Sequence, residues 1–181
     1  MARRIAADDT LLARLTPPRV GLVHGDFKFD NFLVSRDSCD FLLLDPRGRT
    51  FSGESAGDYL EDVAKLRTSS LGLYDLIRSG HLSVWLDGAL AGSTLHPAGR
   101  QAARLLAGLD AAVVSGLPEW VDECADPHWR LRLALLTPLL LVANAPFQLA
   151  PVDERTEGIA VALYVTGAVL LHAVLDSLAC R

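Results

Sequence analysis

The feature that most constrains this chain is a pair of short apolar runs separated by five polar residues. The runs, Asn31 to Ser35 and Phe41 to Asp45, are rich in Phe, Leu and Val, which favour β-strands. The intervening segment RDSCD has the length and polarity of a hairpin turn. The spacing therefore predicts a β-hairpin, preceded by a shorter strand over 20–23.

Charged and amide side chains crowd at the open end of this predicted hairpin. The segment HGDFKFDN places Asp26, Lys28 and Asn31 at the start of the first strand. If the strands pair symmetrically around Ser38, Asn31 faces Asp45 with Cα atoms about 4.5–5.5 Å apart. An amide oxygen and a carboxylate at that distance can share one hard cation such as Mg²⁺. The sequence therefore predicts a cation site at the mouth of the hairpin, within reach of Asp26.

This combination of groups suits phosphoryl transfer. The transition state spreads charge over the transferred group, so catalysis relies on positioning and charge neutralisation. One carboxylate orients the acceptor hydroxyl and accepts its proton, which is the role predicted for Asp26. Taken alone, Asp26 or Asn31 suits an ordinary turn, but their register with Asp45 favours a functional site.

The motif HGDFKFDN, followed by Asp45 in LLLDPRG, resembles the catalytic and metal-binding loops of the aminoglycoside phosphotransferase and choline kinase family, which has the protein-kinase-like fold. The resemblance implies that Asp26 is the catalytic base, and that Asn31 and Asp45 bind Mg²⁺. It also implies a structural supporting role for His24 and makes ATP or another nucleoside triphosphate the phosphate donor. Lys28 occupies the position where protein kinases of the Asp-x-Lys-x-x-Asn type carry a lysine near the transferred phosphate.

A second segment extends the resemblance. GDYLEDVAKLRTSSLGLYDLI, over 57–77, together with DPRG at 45–48 is similar to a subgroup of bacterial sugar- or capsule-associated phosphotransferase-like proteins. The similarity implies that Asp62 ties down the backbone of the catalytic loop. From the residues alone, an exposed helix charge at Asp62 is an equal alternative, and Asp58 is interpreted as a helix cap.

Beyond Gly53 the sequence predicts helices almost to the end of the chain. The predicted helices are 5–15, one beginning near Asp58, and others at about 70–78, 81–90, 98–115, 128–145 and 155–178. The predicted fold is mainly α with a small β-hairpin (α+β). Its expected divisions are an N-terminal helix and linker over 1–18 and a kinase-like C-terminal lobe over 19–181, with the catalytic and metal loops in 20–50 and a helical body in 54–181.

A complete enzyme of this kind also needs a glycine-rich loop and a strand lysine that hold the nucleotide. The sequence contains two lysines, Lys28 and Lys65, and neither precedes His24. We therefore expect a C-terminal lobe whose N-terminal nucleotide lobe is missing. Three interpretations stay open: a truncated small-molecule kinase, a lobe completed by a second chain, or a non-catalytic kinase-like binding module. The first two predict an exposed apolar docking patch, and weak or no activity of the isolated chain is expected.

The composition limits the kinds of partner that the chain is expected to bind. The formal charge of −5 argues against nucleic acid or an anionic membrane, so the expected partner is a small-molecule hydroxyl substrate. The cysteines show no spacing typical of a disulfide framework or zinc site and fit a cytoplasmic location; they are Cys39, Cys124 and Cys180. The apolar stretches 131–151 and 158–175 are interpreted as buried helices, with a membrane-associated helical protein as the alternative.

Two further groups of residues have open interpretations. Arg47 and Arg49 beside the metal carboxylate suit either phosphate binding or a solvated turn. Three acidic residues near two tryptophans could form a pocket for a cationic substrate, although a polar interhelical loop is favoured. This second group consists of Asp122, Glu123, Asp126, Trp120 and Trp129.

Overall fold

The computed structural model describes residues 7–38, 40–50, 52–87, 90–149 and 154–179. Its helices are α1 (Asp9–Leu15), α2 (Leu60–Ser70), α3 (Tyr74–Arg78), α4 (Pro97–Gly116), α5 (Trp129–Asn144) and α6 (Glu154–Ala179). Its strands are β1 (Gly21–Leu22), β2 (Phe32–Val34), β3 (Phe41–Leu43), β4 (Ala56–Gly57), β5 (Leu82–Asp87) and β6 (Leu90–Leu95). The predicted class was mainly α with a small β-hairpin, and its coarse part, a mainly α chain with a minor antiparallel β component, is confirmed. Ile5 in the first predicted helix, and the cysteines Cys39 and Cys180, lie outside the described residues.

The predicted hairpin is present, but its predicted register is wrong by one residue. Phe32 pairs with Leu43, and Leu33 pairs with Leu42. Asn31 therefore lies opposite Leu44, whose amide nitrogen donates to the carbonyl oxygen of Asn31 at 2.8 Å. The error arises because six residues, 35–40, connect β2 and β3 where the sequence predicted five.

The other strands correct the expectation that the chain is helical beyond Gly53. The predicted helix over 81–90 is wrong, because β5 and β6 form an antiparallel hairpin in which Leu82 pairs with Leu95. The sequence carried a signal for it: apolar residues alternate through LSVWLD, and Asp87-Gly88 is a typical turn pair. The predicted strand over 20–23 is present as β1, which pairs with β4 just before α2.

The core forms where α2 packs on α5, and α5 on α6. Leu60 and Ala64 of α2 lie in one buried cluster with Trp129 of α5. Helix α6 approaches α5 closely at Gly167, since a Cβ there would lie 2.8 Å from the carbonyl oxygen of Pro138. Helix α2 is thus held against a two-helix support.

A buried ion-pair network fixes the start of α2. Arg132 of α5 is 2% exposed and donates to Asp58 at 2.7 Å and to both oxygens of Asp126 at 2.6 Å. Tyr59 donates its hydroxyl to Asp126 at 2.7 Å. Asp58 also accepts from the amide of Leu60 at 3.0 Å, so it caps the helix as predicted. The network sets the position of α2 relative to α5.

Two helical segments meet the length and hydropathy required to cross a membrane. They are Trp129–Leu149 and Arg155–Leu178, and less than half of each apolar window is buried. Core helices of globular proteins meet the same criteria. The membrane-associated alternative therefore stays a prediction.

The β2–β3 hairpin exposes apolar side chains on both of its faces. Leu33 and Leu42 form one cross-strand pair, and Val34 and Phe41 form the other. Each of these four side chains is more than half exposed. A two-stranded sheet cannot bury two apolar faces by itself. We call these four residues the hairpin surface.

Candidate active site around Asp26

The loop over 24–31 carries most of the predicted site residues, and Asp62 of α2 holds its beginning. One carboxylate oxygen of Asp62 accepts a hydrogen bond from the amide of His24 at 2.6 Å, and the other accepts one from the amide of Gly25 at 2.9 Å. Hydrogen bonds to an ionised acceptor are stronger than neutral ones. Asp62 thus fixes two adjacent backbone units, which are the contacts that the family resemblance implies.

The loop also packs directly against the DPRG turn over 45–48. The carbonyl oxygen of His24 accepts from the amides of Arg47 at 2.8 Å and Gly48 at 3.1 Å. Gly25 has a φ of +80°, and a Cβ there would clash with the backbone carbonyl of Arg49. Only glycine fits this position without strain. The two segments that carry the predicted site residues are therefore in backbone contact.

The His24 ring is engaged on both of its nitrogens. Nε2 lies 2.9 Å from the carbonyl oxygen of Leu44, which can only accept, so Nε2 carries the proton. The other nitrogen then accepts from the amide of Asp26 at 3.3 Å. These bonds connect the loop to the end of β3. The placement suits the structural role expected for His24.

Asp26 is a buried carboxylate surrounded by three cations. It is 2% exposed, and its oxygens lie 3.1 Å from Arg47, 3.5 Å from Lys28 and 3.5 Å from Lys65. Burial alone would raise the pKa of Asp26, but the attraction of the three cations outweighs it and holds the pKa below its usual value. The carboxylate is therefore ionised at neutral pH.

Lys65 is the site residue that the sequence reasoning missed. It lies on α2, and burial lowers its pKa while the negative charge of Asp26 opposes that effect. Both lysines of the sequence thus contact the same carboxylate. A signal was present, because Lys65 is three residues after Asp62 and therefore lies on the same side of the helix.

Asn31 contacts Asp26 directly. Its side-chain nitrogen donates to the backbone carbonyl of Asp26 at 2.7 Å and lies 3.4 Å from the carboxylate. This orientation leaves the amide oxygen of Asn31 without a hydrogen-bond partner among the described residues. Asn31 is 9% exposed, and its amide oxygen is not among the fully buried polar atoms that lack a partner, so the oxygen keeps some contact with solvent.

Asp45 follows Leu44, whose amide donates to the carbonyl oxygen of Asn31. Asp45 has a φ of +54°, in the left-handed region that non-glycine residues seldom adopt and that is enriched at functional sites. Its carboxylate is exposed and forms no hydrogen bond or ion pair within the described parts of the chain. The predicted direct pairing of Asn31 with Asp45 is therefore wrong: Asn31 lies opposite Leu44, one residue before Asp45.

A cavity of about 640 Å³ opens beside Asp26. Its walls carry four cationic side chains and one carboxylate, an excess of positive charge in a chain whose formal charge is −5. Asn31 and Asp45 are not among the described residues that line it. The lining comprises Gly25, Asp26, Lys28, Arg47, Arg49, Thr50, Ser52, Gly53, Lys65, Thr68, Tyr74, Asn144, Phe147 and Gln148.

The acidic residues near the tryptophans are mostly committed to other contacts. Asp126 binds Arg132, and Glu123 accepts from Arg130 at 2.5 Å and from Trp129 at 3.3 Å. Asp122 accepts from two backbone amides of its own turn. These contacts agree with the polar interhelical loop that the sequence favoured.

No protein-family model, no curated protein and no solved structure shows a significant match to the chain. The family resemblance therefore rests on the motif residues of the sequence alone.

The contacts of Asp62 predict a measurable loss of stability. Asp62→Ala leaves the amides of His24 and Gly25 without their acceptor, so we expect the free energy of unfolding to fall by about 2 kcal/mol. Urea unfolding measures this, and faster hydrogen exchange of the Gly25 amide localises it. Asp37→Ala, at an exposed carboxylate of the hairpin turn, is the matched control. Equal stability of the two variants would contradict the anchoring role.

The lowered pKa of Asp26 predicts a dependence of stability on acid. Because its folded pKa is below the unfolded value of about 3.9, the carboxylate contributes stability that is fully present above that pH. This contribution is lost as the pH falls through the lower folded pKa. Urea unfolding can be measured between about pH 2 and pH 7. On acidification the free energy of unfolding should fall less for Asp26→Asn than for wild type. Asp37→Asn should keep the wild-type slope, and identical slopes for all three proteins would refute the prediction.

Proposed function

We propose that this chain is the C-terminal lobe of a protein-kinase-like phosphotransferase. It moves the terminal phosphate of a nucleoside triphosphate, with ATP as the expected donor, to a hydroxyl of a small molecule. The observation that carries the proposal is the buried, ionised Asp26 at a cationic cavity, fixed through the 24–31 loop by Asp62. A carboxylate held in this way is positioned to orient a hydroxyl.

The proposed reaction gives each residue a chemical task. The acceptor hydroxyl oxygen forms a bond to the terminal phosphorus, and the bond from that phosphorus to the bridging oxygen breaks. Asp26 accepts the hydroxyl proton, while Lys28, 3.5 Å from Asp26, is placed to offset charge on the transferred group. Because the transition state of phosphoryl transfer is loose, the hydroxyl needs little activation, and a carboxylate with a lowered pKa is sufficient.

The donor atoms present fit Mg²⁺. The unpartnered amide oxygen of Asn31 and the exposed carboxylate of Asp45 are hard oxygen ligands, and the two residues lie at the same end of the hairpin. Within the described ranges, no group of three or more His, Cys, Asp or Glu side chains is placed to hold a metal ion. Two protein oxygens would therefore hold the ion, which would take its other ligands from water and phosphate and neutralise charge on the phosphates.

The exposed hairpin surface supports the proposal that this chain is one lobe that works together with a second structural unit. Its exposed pairs, Leu33 with Leu42 and Val34 with Phe41, lie on β2, which begins just after Asn31, and on β3, which ends just before Leu44. A nucleotide-binding lobe seated there would cover the apolar side chains and bring the donor next to Asp45. Such a lobe comes from another segment or another polypeptide. The 181-residue chain alone is then expected to transfer phosphate weakly or not at all.

The proposal is tested by magnesium-dependent nucleotide binding, which does not require the acceptor. Isothermal titration of the chain with ATP should show binding that needs Mg²⁺, and Asp45→Ala should weaken it by about tenfold, because a carboxylate ligand to the ion is lost. Asp37→Ala, on the opposite end of the same hairpin, should bind as wild type does.

The outcomes separate the two kinds of function. Binding that is unchanged in Asp45→Ala, or that does not depend on Mg²⁺, would favour a non-catalytic binding module and contradict the proposed phosphotransferase. If the chain binds MgATP, adding a mixture of hydroxyl acceptors measures phosphoryl transfer directly, and Asp26→Asn should abolish any weak transfer that the wild type shows.

A further inference from the structure

The charge of the cavity indicates which acceptors it can bind. Four cationic side chains line it, and the single carboxylate among the lining residues is Asp26. An amine-bearing acceptor would be repelled by these walls, whereas a dianion would be attracted. Asn31 and Asp45, the proposed metal ligands, are not among the described residues that line the cavity.

Arg47 and Arg49 are the cations best placed to meet a ligand. Arg47 is the most exposed of the three partners of Asp26, with 57% of its side chain accessible against 21% for Lys28 and 14% for Lys65. Arg49 is exposed and has no ion pair among the described residues. Two guanidinium groups on one short turn form a suitable site for a phosphate group.

The remaining walls supply neutral hydrogen-bonding groups. Tyr74, Asn144 and Gln148 line the cavity, and Gln148 donates to the Tyr74 hydroxyl at 3.4 Å. Thr68 adds a further hydroxyl. Such groups suit the hydroxyls of a sugar or another polyol. The cavity therefore offers both cationic and neutral polar groups to a ligand.

Resting on the proposed function, we propose that the acceptor is a polyol that already carries a phosphate monoester, such as a sugar phosphate. Its phosphate binds Arg47 and Arg49, and its hydroxyls meet the polar wall. Arg47 contacts one oxygen of Asp26 at 3.1 Å, and Lys28 and Asn31 lie farther from the same oxygen, at 3.5 and 3.4 Å. The incoming phosphate draws Arg47 away and leaves that oxygen able to accept the hydrogen bond of the reacting hydroxyl. Ligand charge and the availability of Asp26 are coupled through Arg47.

Binding of ribose 5-phosphate tests the proposal without nucleotide or Mg²⁺. Titration of the full chain should give an affinity for ribose 5-phosphate at least about tenfold above that for ribose, choline or inorganic phosphate. Arg49→Gln should lose about tenfold in affinity for ribose 5-phosphate, while Arg104→Gln, at an exposed arginine of α4, should bind normally. Circular dichroism checks that both variants are folded.

Contrary results are distinguishable from failure of the proposed function. Equal binding of ribose and ribose 5-phosphate, tighter binding of choline, or no effect of Arg49→Gln would overturn the inference. Equal affinity for inorganic phosphate would overturn it too, because the polyol would not be recognised. Displacement of ribose 5-phosphate by MgADP would assign these cations to the nucleotide and would equally refute an acceptor site. None of these results depends on whether Asp45→Ala alters nucleotide binding.

Discussion

The site depends on the pair of hydrogen bonds that Asp62 accepts from the amides of His24 and Gly25. They tie the start of the loop to a packed helix, while Phe27 and Phe29 of the same loop pack against Phe32. Helix α2 is itself held by the buried Arg132 network. A chain of charge-assisted contacts thus runs from the core to the backbone next to Asp26.

The electrostatics of Asp26 follow from that placement. A buried carboxylate is stable only with compensating charge, and α2, the loop and the DPRG turn each contribute one cation, namely Lys65, Lys28 and Arg47. These contacts keep Asp26 ionised and leave the adjoining cavity positive. The same groups that stabilise the Asp26 carboxylate would also attract a negatively charged ligand.

Local sequence patterns predicted the secondary structure and the helix cap, whereas strand register and contacts between distant residues could be read only from the structure. The hairpin, the cap at Asp58 and most helices follow from spacing and from apolar periodicity. The register of β2 and β3 was wrong because it depends on the backbone path of the connection, which composition does not define. The β5–β6 hairpin was missed because a helical period was assumed where alternation was present. The contact of Lys65 with Asp26 joins residues 39 positions apart. The spacing from Asp62 places Lys65 on the same side of α2, but its distance from Asp26 depends on how the loop and the helix pack.

The central claim is that Asn31 and Asp45 meet one divalent ion beside Asp26, and paramagnetic NMR tests it most directly. Substoichiometric Mn²⁺ added to the isotopically labelled chain should selectively broaden the amide resonances of Asp26, Asn31 and Asp45, with Mg²⁺ in excess reversing the effect. The resonance of Asp37, in the turn at the other end of the hairpin, should remain sharp. Broadening centred on another acidic group, with Asn31 and Asp45 unaffected, would contradict the account.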